Sequence, residues 1–140
     1  MRANVDNCKC LLVAIFLVSF LLVGCGSGGG SDIIFTPEPV PAEYAGLTNP
    51  LGPKASARGA EVFNSSCKSC HGPEGHGDGP ASESLNPRPK DLAELHPLVG
   101  DDYLFWRIAE GKSGTAMISW RGILTDEQIW QLVAFIRTLE

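Results

Sequence analysis

The stretch Cys67-Lys68-Ser69-Cys70-His71 carries the most concentrated chemistry in the sequence. Its two thiols stand three residues apart, so on one helical turn they project toward the same side. The imidazole of His71 follows directly after the second thiol. This spacing predicts a site in which two sulfurs hold one edge of a planar cofactor while the imidazole ligates the metal at its centre.

C-x-x-C-H is the attachment sequence of c-type haem, and the competing interpretations are weaker. Cys67 and Cys70 can add across the two vinyl groups on one porphyrin edge, which makes His71 the proximal iron ligand. A zinc site needs four ligands, and only His76 and His96 remain to complete one. A thioredoxin-like dithiol needs a βαβ context, and an iron–sulfur cluster normally needs four cysteines. We therefore predict one covalently bound haem c.

An apolar run at residues 11–23 follows basic residues at the N-terminus, as is typical of a signal peptide. The run is shorter than the roughly 20 residues that cross a bilayer as a helix. The sequence LVGC at residues 22–25 resembles the lipobox of bacterial lipoproteins. We expect residues 1–24 to be removed and Cys25 to carry lipid, which would anchor the chain to the outer, periplasmic face of the cytoplasmic membrane. An uncleaved anchor helix is the alternative.

Residues 25–52 are rich in glycine, serine and proline, which predicts a lipid anchor followed by a flexible tether. Within this segment, Tyr44 and residues 47–50 can dock either on a partner or on the domain, and the sequence leaves both open. The folded domain is then expected at residues 53–140. A domain of this size buries only about two-thirds of its unfolded surface, so a bound cofactor would be a natural part of its interior.

The charge balance excludes nucleic acid as the main partner. Eleven Lys and Arg against sixteen Asp and Glu give a net charge of −5 at pH 7, whereas phosphate binding needs a basic face. Hydrophobic residues at 44% and charged residues at 19% are typical of a folded domain. Of the five cysteines, two would leave with the signal and one would carry lipid, so no disulfide framework remains.

Three helices are predicted from the spacing of apolar residues. The first covers about residues 55–66. The second covers about residues 101–110 and ends at Gly111, which suits a C-terminal cap. The third starts after Thr125, which is expected to form a capping box with Gln128. Apolar alternation nowhere persists long enough to predict a strand, so an all-α fold is expected.

The C-x-x-C-H stretch followed by glycine, a later methionine loop and a capped C-terminal helix together resemble class I monohaem cytochromes c. The resemblance covers residues 53–140. It implies an all-α fold in which the N- and C-terminal helices cross around one covalent haem. Gly59 and Phe63 match the family's close-contact face on the first helix, and the resemblance places Leu132 and Phe135 opposite them.

Met117 is the candidate for the sixth iron ligand. Its thioether is a soft ligand, and His/Met ligation favours the ferrous state. The proline that usually follows this methionine in the family is replaced here by Ile118. An ordinary core methionine is the alternative, and His96 is a rival ligand. His76 lies too close to His71 along the chain to reach the opposite haem face easily.

Three further residues are expected beside the haem. A proximal histidine usually donates its other ring N–H to a carbonyl, and the resemblance implies that Pro80, in a Gly-Pro turn, supplies that carbonyl to His71. Trp120 and Arg121 follow the methionine closely and can donate to a haem propionate. Core packing for Trp120 and a surface position for Arg121 are the alternatives.

A haem with both axial positions filled has no open site, which favours electron transfer over oxygen or peroxide chemistry. The expected function is that of an electron carrier rather than an enzyme, cycling between ferric and ferrous states. The alternative is a haem enzyme or gas sensor with an open or displaceable sixth ligand.

A closer resemblance concerns the place of the protein in the cell. The lipobox, the proline-rich leash with its segment 42–50 and the motif 70–81 look like the monohaem lipoprotein subunit of the bacterial alternative complex III. That complex oxidises quinol and reduces periplasmic carriers. The resemblance implies that the partners are other subunits of a membrane complex and a periplasmic electron carrier.

Overall fold

The computed structural model describes residues 35–140, so the predicted signal peptide, Cys25 and the first part of the tether lie outside the described residues. The α-helices are α1 Ser56–Ser66, α2 Lys68–His71, α3 Leu92–Leu95, α4 Asp101–Glu110 and α5 Asp126–Ile136. Short 3-10 turns lie at Pro53–Ala55, Ser82–Ser84 and His96–Leu98. Residues 35–140 form no β-strand, and their only β-type pairing is an isolated bridge between Arg121 and Leu124. This confirms the all-α prediction. Every helix in this range is too short or too polar to cross a bilayer.

The ends of the two long C-terminal helices follow local side-chain chemistry. The Thr125 hydroxyl accepts a bond from the Gln128 N–H at 3.2 Å, and the Gln128 side chain accepts one from the Thr125 N–H at 2.9 Å. This confirms the capping box that the sequence predicts for α5. Helix α4 begins with two aspartates, which favour a helix N-terminus electrostatically, and ends at Gly111 with a φ of 70°.

The first long helix crosses the last one at a glycine. A Cβ on Gly59 would lie 2.6 Å from the carbonyl carbon of Gln131 and 2.8 Å from the Cβ of Phe135. One turn further along α1, the ring of Phe63 packs on Phe135 with centroids 5.0 Å apart. The crossing of α1 and α5 is thus confirmed, and it depends on a residue without a side chain.

The core lies between these crossing helices and α4. Its buried apolar residues come mainly from these three helices, and they include Phe63, Leu104, Phe105, Ile108, Ala109, Ile129, Leu132, Val133 and Ile136. Complete burial of such a side chain contributes about 1.5–3 kcal/mol. The half-buried residues that pack against this core include Cys67, Met117 and Trp120, so the core borders the predicted haem residues.

Residues 37–52, here called the strap, differ from the flexible tether that was predicted. They belong to the same compact unit as the helices, which spans Pro37–Glu140. Tyr44 is 7% exposed within the core cluster, and the Asn49 side chain donates to the Trp130 carbonyl at 2.8 Å. The compact unit therefore begins before the predicted domain start at residue 53. The amino-acid composition of a segment indicates how flexible the free chain is. Whether the segment packs on the domain depends instead on individual contacts, here the buried Tyr44 ring and its polar neighbours.

Candidate haem site

The predicted attachment residues lie at the junction of α1 and α2. Helix α1 ends at Ser66, and the N–H of Cys67 still donates to the Phe63 carbonyl at 2.8 Å. The N–H groups of Cys70 and His71 both donate back to the Cys67 carbonyl, at 3.2 and 2.9 Å. One tight turn therefore carries both thiols and the imidazole.

The protonation states of this turn are set mainly by burial. Cys67 and Cys70 are free, half-buried thiols. Burial, assisted by the neighbouring Cys70, raises the pKa of the Cys67 thiol to about 12. Burial also lowers the pKa of His71 below its ordinary value, opposed by a hydrogen bond to the Lys90 carbonyl. The imidazole is thus neutral at neutral pH, which is the form that ligates a metal.

The ring of His71 is oriented by a carbonyl other than the one predicted. Its Nδ1 lies 3.3 Å from the carbonyl oxygen of Lys90, so the acceptor is Lys90 rather than Pro80. The residues on either side of Pro80 bind the backbone of α2 instead. The N–H of Gly79 donates to the Cys70 carbonyl at 3.2 Å, and the N–H of Ala81 donates to the Ser69 carbonyl at 2.9 Å. The Gly-Pro turn therefore caps α2, and the imidazole finds its acceptor further along the chain.

A close backbone approach at Gly77 brings Lys90 to this position. The N–H of Gly77 donates to the carbonyl of His71 at 2.8 Å. Gly77 has a φ of 74°, and a Cβ there would lie 3.1 Å from the carbonyl carbon of Pro89. Only glycine allows both this conformation and this approach, so Gly77 fixes the path of the loop that ends at the acceptor.

An exposed ion pair closes the same loop from outside. His76 Nδ1 lies 2.9 Å from Oδ2 of Asp91, and Glu74 lies 3.7 Å from Nε2. The other carboxylate oxygen of Asp91 caps α3 by accepting from the N–H groups of Ala93 and Glu94. The hydrogen bond to Asp91 raises the pKa of His76. Burial alone would raise the pKa of Asp91, but the bonds from Glu94 and His76 lower it overall.

We expect a His76→Ala variant to be less stable than the wild type only within a pH window. The pKa of His76 is raised by folding, so its contribution is complete below the unfolded value near 6.5 and is lost as the pH rises through the folded value. Folding lowers the pKa of Asp91, so the stability that its carboxylate contributes is lost as the pH falls through its pKa in the folded protein. The difference in melting temperature should be small, as for other exposed pairs, and largest near pH 5. An equal difference at about pH 5 and about pH 9 would contradict this assignment.

Met117 lies in the loop 112–121, which follows α4 and has a fixed backbone. The N–H of Lys112 donates to the Met117 carbonyl at 2.9 Å, and the N–H of Met117 donates to the Thr115 hydroxyl at 3.1 Å. The loop passes so close to Gly111 that a Cβ there would lie 2.6 Å from the Met117 carbonyl oxygen. The Met117 side chain is half-buried against the core. The thioether is therefore held by the loop rather than displayed on a free chain.

Trp120 and Arg121 fasten the far end of this loop. Their N–H groups donate to carbonyls near the end of α4 at 3.3 and 3.0 Å, and the Trp120 ring is half-buried against the core. The Arg121 side chain makes two hydrogen bonds to protein groups. Its Nε donates to Glu110 at 2.7 Å, and its Nη2 donates to the Tyr44 hydroxyl. The sequence could not show this, because Tyr44 belongs to the strap.

The rival ligand His96 has partners of its own. Its Nε2 lies 3.1 Å from the carbonyl oxygen of Leu139, and its own carbonyl accepts a bond from Arg137. Across residues 35–140, the structure brings together no group of three or more His, Cys, Asp or Glu side chains that could hold a metal ion.

The chemistry of the donor set fits a covalently held haem. Two free thiols and a neutral imidazole share one turn, and a thioether occupies a hydrogen-bonded loop. The turn directly follows the first of two crossing helices in an all-α domain. This combination defines the class I c-type cytochromes.

Comparison with known proteins gives the family. The profile of the family described as "Cytochrome C oxidase, cbb3-type, subunit III" matches residues 54–136, from just before α1 to the end of α5. The chain belongs to this family of c-type cytochromes.

Individual relatives agree with this assignment. Cytochrome c6 of Synechococcus elongatus is 31% identical over 80 residues, which are 57% of this chain and 85% of that protein. Cytochrome c6 of Thermosynechococcus vestitus is also 31% identical over 80 residues, 57% of this chain and 66% of its own length. The protein is thus a monohaem c-type cytochrome that carries one covalently bound haem c and functions in electron transfer.

A solved structure shares the fold. A chain of the Kuenenia stuttgartiensis reducing HAO-like protein complex superposes with a TM-score of 0.57 and 22% identity. The match covers 76% of this chain and about half, 53%, of that chain. This likeness supports the helical architecture described above.

Sequence reasoning missed two residues that shape the site, namely Lys90 and Glu38, and it left open whether Tyr44 docks on the domain or on a partner. Lys90 precedes Asp91, whose capping of α3 was a readable signal that the chain turns sharply there. Tyr44 is an aromatic residue in an otherwise polar, proline-rich stretch, which is a weak indication of docking. Glu38 forms ion pairs with Arg107 and Lys112 near the Met117 loop, and no local sequence pattern indicates these contacts.

Proposed function

We propose that Cys67 and Cys70 hold the haem through thioether bonds and that His71 and Met117 are its axial ligands. The observation that carries this proposal is the single turn on which both thiols and the neutral imidazole lie. Bound in this way, the haem supplies one-electron chemistry by alternating between ferric and ferrous iron. The polypeptide contributes covalent attachment, ligand orientation and a fixed sixth ligand.

Each ligand is held by the backbone, which suits electron transfer. The Lys90 carbonyl accepts from Nδ1 of His71, which leaves Nε2 for the iron and fixes the ring. The loop around Met117 is closed by its bonds to Lys112 and Thr115. Ligands that keep their positions in both oxidation states favour rapid transfer without substrate chemistry, so the proposal is a carrier and not an enzyme.

A Met117→Ala variant tests the sixth ligand. We expect the ferric wild type to show the weak red-edge charge-transfer band of sulfur ligation and the variant to lack it. The reduction potential should fall by a sizeable fraction of the roughly 0.8 V that axial ligands span, and the ferrous variant should bind CO.

Ile118→Ala is the matched control, because Ile118 is the neighbouring side chain and is 56% exposed. It should keep the band and exclude CO. A band that survives in Met117→Ala would overturn the ligand assignment. Rapid CO binding by the wild type would favour the haem enzyme or gas sensor instead.

We further propose that Cys25 carries lipid after removal of residues 1–24, on the periplasmic face of the cytoplasmic membrane. The lipobox resemblance at residues 22–25 supports this proposal. Two or more acyl chains anchor a protein stably where one does not. A Cys25→Ser variant should therefore lack the acyl mass that the wild type carries, whereas a wild-type chain without acyl mass at Cys25 would refute lipid anchoring at this residue.

The proposed partners are the other subunits of a quinol-oxidising complex of the alternative complex III type and a periplasmic electron carrier. The motif at residues 70–81 and the segment 42–50 support this by their resemblance to the monohaem subunit of that complex. Purified complex stripped of this subunit alone should no longer reduce the carrier with electrons from quinol. Undiminished carrier reduction would contradict the proposal.

A further inference from the structure

The strap contacts both ends of the loop that carries Met117. The loop 112–121 leaves α4 at Lys112 and is bound back to the end of α4 at Arg121. A different side chain of the strap binds each of these two residues. These two contacts thus lie on either side of the methionine.

Glu38 holds the first end. One of its carboxylate oxygens lies 2.9 Å from Nζ of Lys112, and the other lies 2.9 Å from Nη2 of Arg107. Arg107 is itself fixed, because it lies 4.0 Å over the ring of Trp106 and donates to the Gly111 carbonyl at 3.2 Å. The Arg107 side chain is only 12% exposed, so Glu38 joins the start of the loop to a rigid part of α4.

Tyr44 holds the second end. Its hydroxyl is hydrogen-bonded to both Glu110 and Arg121, which also bind each other at 2.7 Å. Burial raises the pKa of Tyr44, so the phenol keeps its proton. Its ring lies 6.2 Å from that of Phe105 in the core. The second end of the loop is therefore tied to a buried side chain.

The strap also has anchors that do not involve the loop. The N–H of Gly46 donates to Asp102 at 2.9 Å, and the N–H of Asn49 donates to Asp101 at 3.1 Å. The Asn49 side chain adds its bond to the Trp130 carbonyl. Removing one polar group from Glu38 or Tyr44 should thus change the loop contact and leave the strap docked.

We propose that the strap positions the Met117 loop, with Glu38 and Tyr44 as positioning residues for the thioether ligand. This inference rests on the proposed function of Met117. Opening of the loop, which exposes the sixth position, would require these contacts to break. The strap therefore sets how often an outside ligand can displace the methionine.

The test measures binding of added imidazole to the ferric, full-length holoprotein. A lost hydrogen bond shifts such an equilibrium by about 3-fold to 10-fold, whereas a lost ion pair of a half-exposed residue such as Glu38, which is 52% exposed, shifts it by about 2-fold to 5-fold. We expect Tyr44→Phe to bind imidazole faster by roughly the first factor and Glu38→Gln by roughly the second. The double variant should show approximately the product, because the two contacts lie at different ends of the loop.

Glu43→Gln is the matched control, since it removes the same charge from an exposed position of the strap. It should bind imidazole at the wild-type rate. Wild-type rates in both single variants and in the double variant, with lowered melting temperatures only, would overturn the proposal and leave the strap a structural element. A wild type without the red-edge band would refute Met117 as the ligand and, with it, the positioning role. If only the positioning role fails, the wild type still shows the red-edge band and Met117→Ala still loses it. If the ligand assignment fails, the wild type lacks the band, so the two failures are distinguishable.

Discussion

A Cys67→Ser, Cys70→Ser double variant is expected to contain no covalent haem and to lose most of its helical structure. The domain is small, and its size class buries only about two-thirds of the unfolded surface. Cys67 and Met117 border the core, so the haem they are proposed to hold would complete it. Small domains of this kind depend on staples such as covalent cofactors. Far-ultraviolet circular dichroism and the haem absorbance of the purified chain measure both losses.

The single variants are the controls for this result. Cys67→Ser and Cys70→Ser should each keep one thioether bond and hence a folded, haem-containing chain with reduced yield. Serine replaces the thiol with little change in volume, so the difference between single and double variants reports attachment. A double variant with wild-type helicity and covalently held haem would refute the attachment residues.

A Gly59→Val variant is expected to lose about 3 kcal/mol of unfolding free energy, the upper part of the range for overpacking. The new side chain would meet the backbone of Gln131, which cannot rotate away as a side chain can. It would also crowd Phe135, whose ring packs on Phe63. For a domain of about this size, the melting temperature should fall by roughly 10–20 °C.

The control for this substitution lies two residues earlier on the same helix. Ala57 is exposed, so Ala57→Val should cost only the lower helix propensity of valine, about 0.6 kcal/mol. Chemical denaturation of both variants in the haem-loaded form gives the comparison. Equal losses for the two substitutions would contradict the close crossing of α1 and α5.

The helices were predictable because their signals are local. Gly59 and Phe63 share a face one turn apart, and Thr125 with Gln128 marks a helix start by side-chain chemistry alone. The C-x-x-C-H spacing likewise places three groups on one turn. In each case the physical cause lies within a few residues, so reading the chain in order was sufficient.

The contacts that sequence reasoning assigned otherwise or missed depend on distant partners. Tyr44 meets Glu110 and Arg121 only after folding, so a proline-rich segment predicted as a tether becomes part of the domain. The acceptor for His71 depends on how a loop returns, which placed Lys90 where Pro80 was expected. Such contacts follow from tertiary packing, which no short stretch of sequence encodes.

The most direct test of the account is the mass of the intact chain after extraction with acidified acetone. That treatment removes haem held only by iron ligands and leaves haem held by carbon–sulfur bonds. The chain should be produced at full length together with the haem-attachment machinery. We predict that it keeps the mass of one haem, and that peptide mapping places this haem on the peptide containing Cys67 and Cys70. A chain with the mass of the polypeptide alone, and haem in the extract, would contradict the central claim.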